Sequence, residues 1–183
     1  MNTEIEKQLA TAEQGVKDWR AETNIGVYSL NMWRHLLSCF AASDCEDKSG
    51  ALPYVAFDLS EYGLDLSSDS QILDIGCLGG YGLFDFYLRR EISGQPIPEM
   101  TGIDLSDESI ALARFMSEHG VWDKEKSPRF AVASAESLPF EEEAFDFVIA
   151  RLLLPYVGIE QAMKEICRVM KPGGIALLQL HAP

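Results

Sequence analysis

Apolar positions follow two rhythms along this chain, and the change comes near residue 71. Before it, Ile5, Leu9, Ala12 and Val16 recur at spacings of three and four, which marks one helical face over Glu4 to Trp19. Met32, Leu36, Leu37 and Phe40 predict a second helix over Asn31 to Ala42. Asp44 to Gly50 is polar and reads as a turn or linker. Pro53 to Tyr62 reads as a short helix with its proline in the first turn.

From Gln71 onward, short apolar runs alternate with amphipathic ones. Strands are predicted at Gln71–Ile75, Met100–Asp104, Arg129–Ala133, Phe145–Ala150 and Ile175–Leu180. Helices are predicted at Tyr81–Arg90, Asp107 to about His119, and Ile159 to Met170. Ser106 can cap the second of these, Gly120 can end it, and Pro172-Gly173-Gly174 is expected to stop the third. Strands separated by helices imply an α/β, doubly wound parallel sheet with right-handed crossovers. In such sheets the ligand lies beyond the carboxyl ends of the strands. Gly76–Gly80, Asp104 and Ser134–Glu136 therefore face one crevice.

The totals narrow the function. With 183 residues, 47% apolar and 24% charged, the chain can bury a real core. A net charge of −14 repels phosphate backbones, and no basic patch offsets it, so no nucleic-acid partner is expected. No window approaches ~18 uninterrupted apolar residues, so no membrane span is expected. The N-terminus lacks a basic n-region and an apolar h-region, so no signal peptide is expected. Cys39, Cys45, Cys77 and Cys167 form no C-x-x-C pair, so no metal site is indicated, and they read as reduced thiols of a cytoplasmic protein. His35, His119 and His181 are isolated, and Glu141-Glu142-Glu143 reads as a solvated turn.

The ligand is argued from two carboxylates and a glycine turn. Counting from Gly76, the dinucleotide fingerprint G-x-G-x-x-G fails at Leu78 and Tyr81. Asp74, two residues earlier, would repel a pyrophosphate but suits an ammonium group. Asp104 closes the second strand and can accept hydrogen bonds from a ribose diol. An ammonium, a ribose and no phosphate describe S-adenosyl-L-methionine.

ILDIGCLGG, TGIDLS, AVASAESLPFEEEAFDFVIA and AMKEICRVMKPGGIALL stand in the order and spacing of four motifs of a known family. The stretch from residue 72 to 180 resembles class I S-adenosylmethionine-dependent methyltransferases of the type 11 group. That resemblance implies a Rossmann-like sheet in strand order 3-2-1-4-5. It also implies residues 1–70 as an N-terminal helical segment or lid, and residues 71–183 as the cofactor domain. Trp19, Tyr28 and Trp33 would pack the N-terminal helices or form that lid. The implied cofactor-binding set is Asp74, Gly76, Cys77, Gly79, Gly80, Asp104, Leu105, Ser134, Ala135, Glu136 and Arg151. Asp74, Gly76 and Gly80 would line the methionine end, and Asp104 would hold the ribose hydroxyls. Leu105 would pack on the adenine, Ala135 and Glu136 would flank its edge, and Arg151 would lie near cofactor and substrate. Cys77 reads as a packing residue of the loop.

The sequence departs from the family in three places. Leu78 stands where a middle glycine is usual, and Ser134 stands where an aspartate often accepts the adenine amino group. The family's C-terminal antiparallel hairpin is expected to be absent, because the sequence stops at Pro183. The fifth strand would then be an exposed apolar edge, so self-association into a homo-oligomer is expected. The implied activity is methyl transfer to a small-molecule acceptor, with Tyr156 a candidate contact and no residue assigned as catalytic. Two other functions are open: a cofactor-binding protein of this fold without transferase activity, and a nicotinamide-dependent reductase.

Overall fold

In a computed structural model, residues 3–23, 27–41 and 65–180 are described. The predicted turn at Asp44–Gly50 and helix at Pro53–Tyr62 lie outside them, as do Cys45 and His181. Two N-terminal helices, α1 (Thr3–Glu22) and α2 (Val27–Ala41), precede the sheet. Strand β1 (Gln71–Ile75) leads through the glycine turn into α3 (Tyr81–Ser93). Then come β2 (Glu99–Asp104), α4 (Asp107–Glu118), β3 (Arg129–Val132), β4 (Phe145–Arg151), α5 (Ile159–Val169) and β5 (Met170–Gln179).

The five strands form one sheet in the order β3-β2-β1-β4-β5, and every pairing is parallel. This is the Rossmann-like order implied by the resemblance. β1 lies at the centre with Ile72 to Ile75 buried, as a strand covered by helices on both faces requires. One core cluster joins Ile5, Trp19 and Trp33 of the N-terminal helices to Phe84, Tyr87, Leu112 and Trp122. The other joins Leu73, Ile75, Val148, Ala162 and Ile166 on the opposite face.

Local signals set most boundaries. Ser106 Oγ accepts from Ser109 N at 3.2 Å and caps α4, with Asp107 and Glu108 at the positive helix end. Past α4, Gly120 adopts φ +74° and its N–H donates to Ser117 O, the left-handed exit that glycine makes easy.

The junction of α5 and β5 differs from expectation. The helix ends at Val169, before Pro172, and Pro172-Gly173-Gly174 lie inside the strand rather than stopping the helix. Lys171 precedes a proline and is biased away from helical backbone, while Met170 gains a ladder partner in Phe145. The glycines then form an irregularity: β5 runs from Met170 to Ile175 while β4 runs only from Phe145 to Phe147. Beyond it Ile175 to Gln179 pair regularly with β4 but stay only half-buried at the sheet edge.

Candidate functional site

The carboxyl ends of β1, β2 and β4 converge on the glycine turn. Gly76 N and Cys77 N both donate to Ile103 O, at 2.8 and 2.9 Å, so the turn is tied to β2 as it leaves β1. Gly76 and Gly80 adopt φ +74° and +80°. Gly80 has a second reason to be glycine, because a Cβ there would come 2.8 Å from Phe130 Cζ. Leu78 also adopts a left-handed backbone, with φ +51°. That explains why glycine suits this position in the resembled family, and it marks local strain here.

The turn is held from two sides. Leu78 N donates to Asp104 Oδ2 at 2.9 Å, and Ser106 N donates to Asp104 Oδ1 at 2.9 Å. Asp104 thus braces the loop through both oxygens, and each oxygen keeps a further lone pair for a ligand. From below, Trp33 Nε1 donates to Gly79 O at 2.6 Å. Trp33 is fully buried beside Phe84 and Trp122. The sequence placed Trp33 among packing or lid aromatics. Its bond to the loop spans 46 residues, and no local pattern announces it.

A cleft opens from Gly76 along Asp104, Leu105 and Ser134 to Glu136, with Leu153 and Tyr156 on its other wall. Leu105 is 75% exposed and Tyr156 78% exposed, so both are rim residues. Ala135 is buried. Glu136 N donates to Ser134 Oγ at 3.2 Å, and Glu136 Oε1 accepts Gly158 N at 2.8 Å, which fastens this segment to the start of α5. Cys77 is buried, and burial, followed by the nearby Asp74 and Asp104 charges, pushes its thiol well above the usual range. It is a protonated packing group rather than a nucleophile.

Asp74 is 1% exposed on the central strand. Burial raises its pKa to about 6, against the lowering effect of Arg151. Arg151 Nη2 lies 3.4 Å from Asp74 Oδ2, and its guanidinium sits 5.4 Å from the Tyr81 ring centroid. The Arg151 side chain is only 7% exposed, so it is not a surface charge. Asp74 Oδ1 is buried with no hydrogen-bond partner among the described residues. Of the eleven expected residues, Gly76, Asp104, Leu105, Ser134, Ala135 and Glu136 line the cleft, Cys77, Gly79 and Gly80 belong to the turn, and Asp74 and Arg151 pair with each other. His119 lies elsewhere, 3.8 Å from Asp18, and Cys167 is exposed away from the turn. No group of three or more His, Cys, Asp or Glu among the described residues could hold a metal ion, and no described helix is long and apolar enough to cross a membrane.

Residues 73–178 match the sequence profile of the methyltransferase domain family. The chain belongs to that family. It is 30% identical over 116 residues to an uncharacterized methyltransferase, YcgJ, of Bacillus subtilis, an overlap of 62% of this chain and 42% of YcgJ. It is 36% identical over 92 residues to a demethylmenaquinone methyltransferase of Chlorobaculum tepidum, covering 50% of this chain and 35% of that protein. Among solved structures, it resembles a Haemonchus contortus phosphoethanolamine N-methyltransferase in complex with S-adenosyl-L-methionine. The TM-score is 0.52 at 28% identity, over 66% of this chain and 26% of that one. The chain spans less than half the length of these relatives.

Proposed function

We propose that this chain binds S-adenosyl-L-methionine and transfers its methyl group to a small-molecule acceptor. The observation that carries the reading is the pair of carboxylates on either side of the glycine turn, Asp74 buried and Asp104 braced. The residues suit the cofactor. Asp74 is a buried carboxylate that suits a cationic ammonium donor, and the glycine turn lets backbone approach closely. Asp104 keeps lone pairs for ribose hydroxyls, and the exposed Leu105 offers an apolar face for the adenine.

When bound, the cofactor supplies an activated methyl group on a sulfonium, and the protein's task is alignment in a site that excludes water. Asp74 would fix the amino-acid end and Asp104 the ribose. Ala135 and Glu136 would border the base, with Ser134 accepting from its amino group. Tyr156, at the open rim, would meet the acceptor. The named activities of the relatives support a small acceptor. We read residues 1–70 as the support of the loop and cover of the acceptor side, and β5 as a self-association edge that light scattering would reveal.

The test is an acceptor panel read by release of S-adenosylhomocysteine, with NADH binding measured alongside. Methyl transfer to any small acceptor is the expected result. Saturable NADH binding without S-adenosylmethionine binding would overturn the reading. Binding without transfer across a broad panel would leave a cofactor-binding protein of the same fold.

A further inference from the structure

Asp74 and Arg151 form an ion pair that is buried on both sides, across 77 residues of sequence. Arg151 lies in the space that Gly82 leaves above the first turn of α3: a Cβ added at Gly82 would collide with its guanidinium. The Tyr81 ring flanks it. The open cleft reaches Gly76 but not Asp74. On the methyltransferase reading this lining takes the nucleoside, and the Arg151 side chain occupies the amino-acid end.

The backbone beneath Arg151 is also unusual. Leu152 adopts φ +55°, a left-handed conformation that a leucine rarely takes, and its N–H is held by Gln179 O at 2.8 Å. The strained residue directly follows the one whose side chain fills the site.

Resting on the methyltransferase reading, we propose that Arg151 is an internal stand-in for the cofactor's ammonium group and that the two exchange on Asp74. A buried carboxylate is poorly tolerated without a cation beside it, so Asp74 can be opened at low cost only by trading one cation for another. Arg151 swings away at Leu152, and the ammonium takes its place. Arg151 thereby sets the apparent affinity for any ligand that carries an ammonium, because only the fraction of molecules with Arg151 displaced can bind it.

Two probes separate the halves of the site. Decarboxylated S-adenosylmethionine carries the ammonium without a carboxylate, and 5′-methylthioadenosine carries neither. In Arg151→Gln, where Asp74 loses the cation that lowers its pKa, affinity is read at the alkaline plateau of a pH series, and there the first should bind about tenfold tighter if roughly a tenth of the native molecules are open. The second should bind unchanged. An unchanged or weaker affinity for the ammonium ligand, with methylthioadenosine unaffected, would overturn the exchange and place the ammonium beside Arg151 on Oδ1. Failure of methylthioadenosine to bind either protein would instead sink the cofactor reading, and the exchange with it. A measurement on the native protein stands independently of how the variant folds. The Arg151 Nε–H resonance should move with the ammonium ligand and stay with methylthioadenosine; a resonance that ignores both overturns the proposal.

Discussion

Asp104 and Asp74 stand on neighbouring strands of one sheet, yet they are built into the molecule in opposite ways. Asp104 is half-exposed, and both its oxygens accept backbone N–H groups from the loops it organises. Asp74 is buried, pairs with one guanidinium at 3.4 Å and leaves an oxygen without a partner among the described residues. On the proposed reading, recognition at Asp104 would rest on backbone geometry that is already in place. At Asp74, on the same reading, recognition would rest on charge held out of water, so desolvation would govern it and couple any change of partner to protonation. A site made this way would admit the nucleoside freely and the amino acid conditionally.

If the glycine turn serves both halves, damage beneath it should not distinguish them. Trp33→Ala removes a fully buried indole and should destabilise the fold by about 3–5 kcal/mol in a denaturant titration. Trp33→Phe keeps most of the packing and should cost about 1 kcal/mol for the lost donor to Gly79 O. In that variant, affinities for S-adenosylmethionine and methylthioadenosine should fall together. A fall in only one would show that the halves are not carried by a common loop.

Gly80→Ala tests the same support from the other side. It forces a left-handed residue against Phe130 and should destabilise by about 2 kcal/mol, seen as a lowered Tm.

Protonation should separate the halves. Only ionised Asp74 attracts an ammonium, and its pKa in the fold is about 6. S-adenosylmethionine affinity should therefore rise about tenfold between about pH 5 and about pH 7, while methylthioadenosine affinity stays flat. The stability effect has the opposite sign. The folded value lies above the ordinary 3.8, so the fold holds this proton more tightly than the unfolded chain does. The contribution of Asp74 is present at low pH and is lost as pH rises toward and through about 6. A pH-independent S-adenosylmethionine affinity would remove Asp74 from the amino-acid half.

The smallest effect belongs to Leu78→Gly. Relief of a left-handed leucine, worth about 1 kcal/mol, is offset by the ~0.5–1 kcal/mol entropy cost of glycine, so Tm should hardly move. A large gain would mean that the strain at Leu78 is greater than its backbone angle implies.

How much of this was legible in the sequence follows from the range of each interaction. β1 was placed to the residue because its apolar run is bounded by turn-forming residues on both sides. The cap at Ser106 and the exit at Gly120 were readable for the same reason: both act within one turn of the helix. Pro172-Gly173-Gly174 misled because a local stop signal competed with a ladder partner, Phe145, on a different strand. The acid before the first glycine pointed to an ammonium ligand, yet nothing local announced that Arg151, 77 residues away, lies against it. The Trp33 brace was hidden likewise, since its spacing with Leu36 and Leu37 is that of any core helix face.

The most direct test of the account is calorimetric titration of the protein with S-adenosyl-L-methionine, repeated on Asp104→Ala. Saturable binding that weakens at least about tenfold in the variant is expected. A stabilisation of about 2.7 kcal/mol is also expected when the ligand stands at ~100 times Kd. No binding by a folded sample, or equal affinity in the variant, would contradict the cofactor reading.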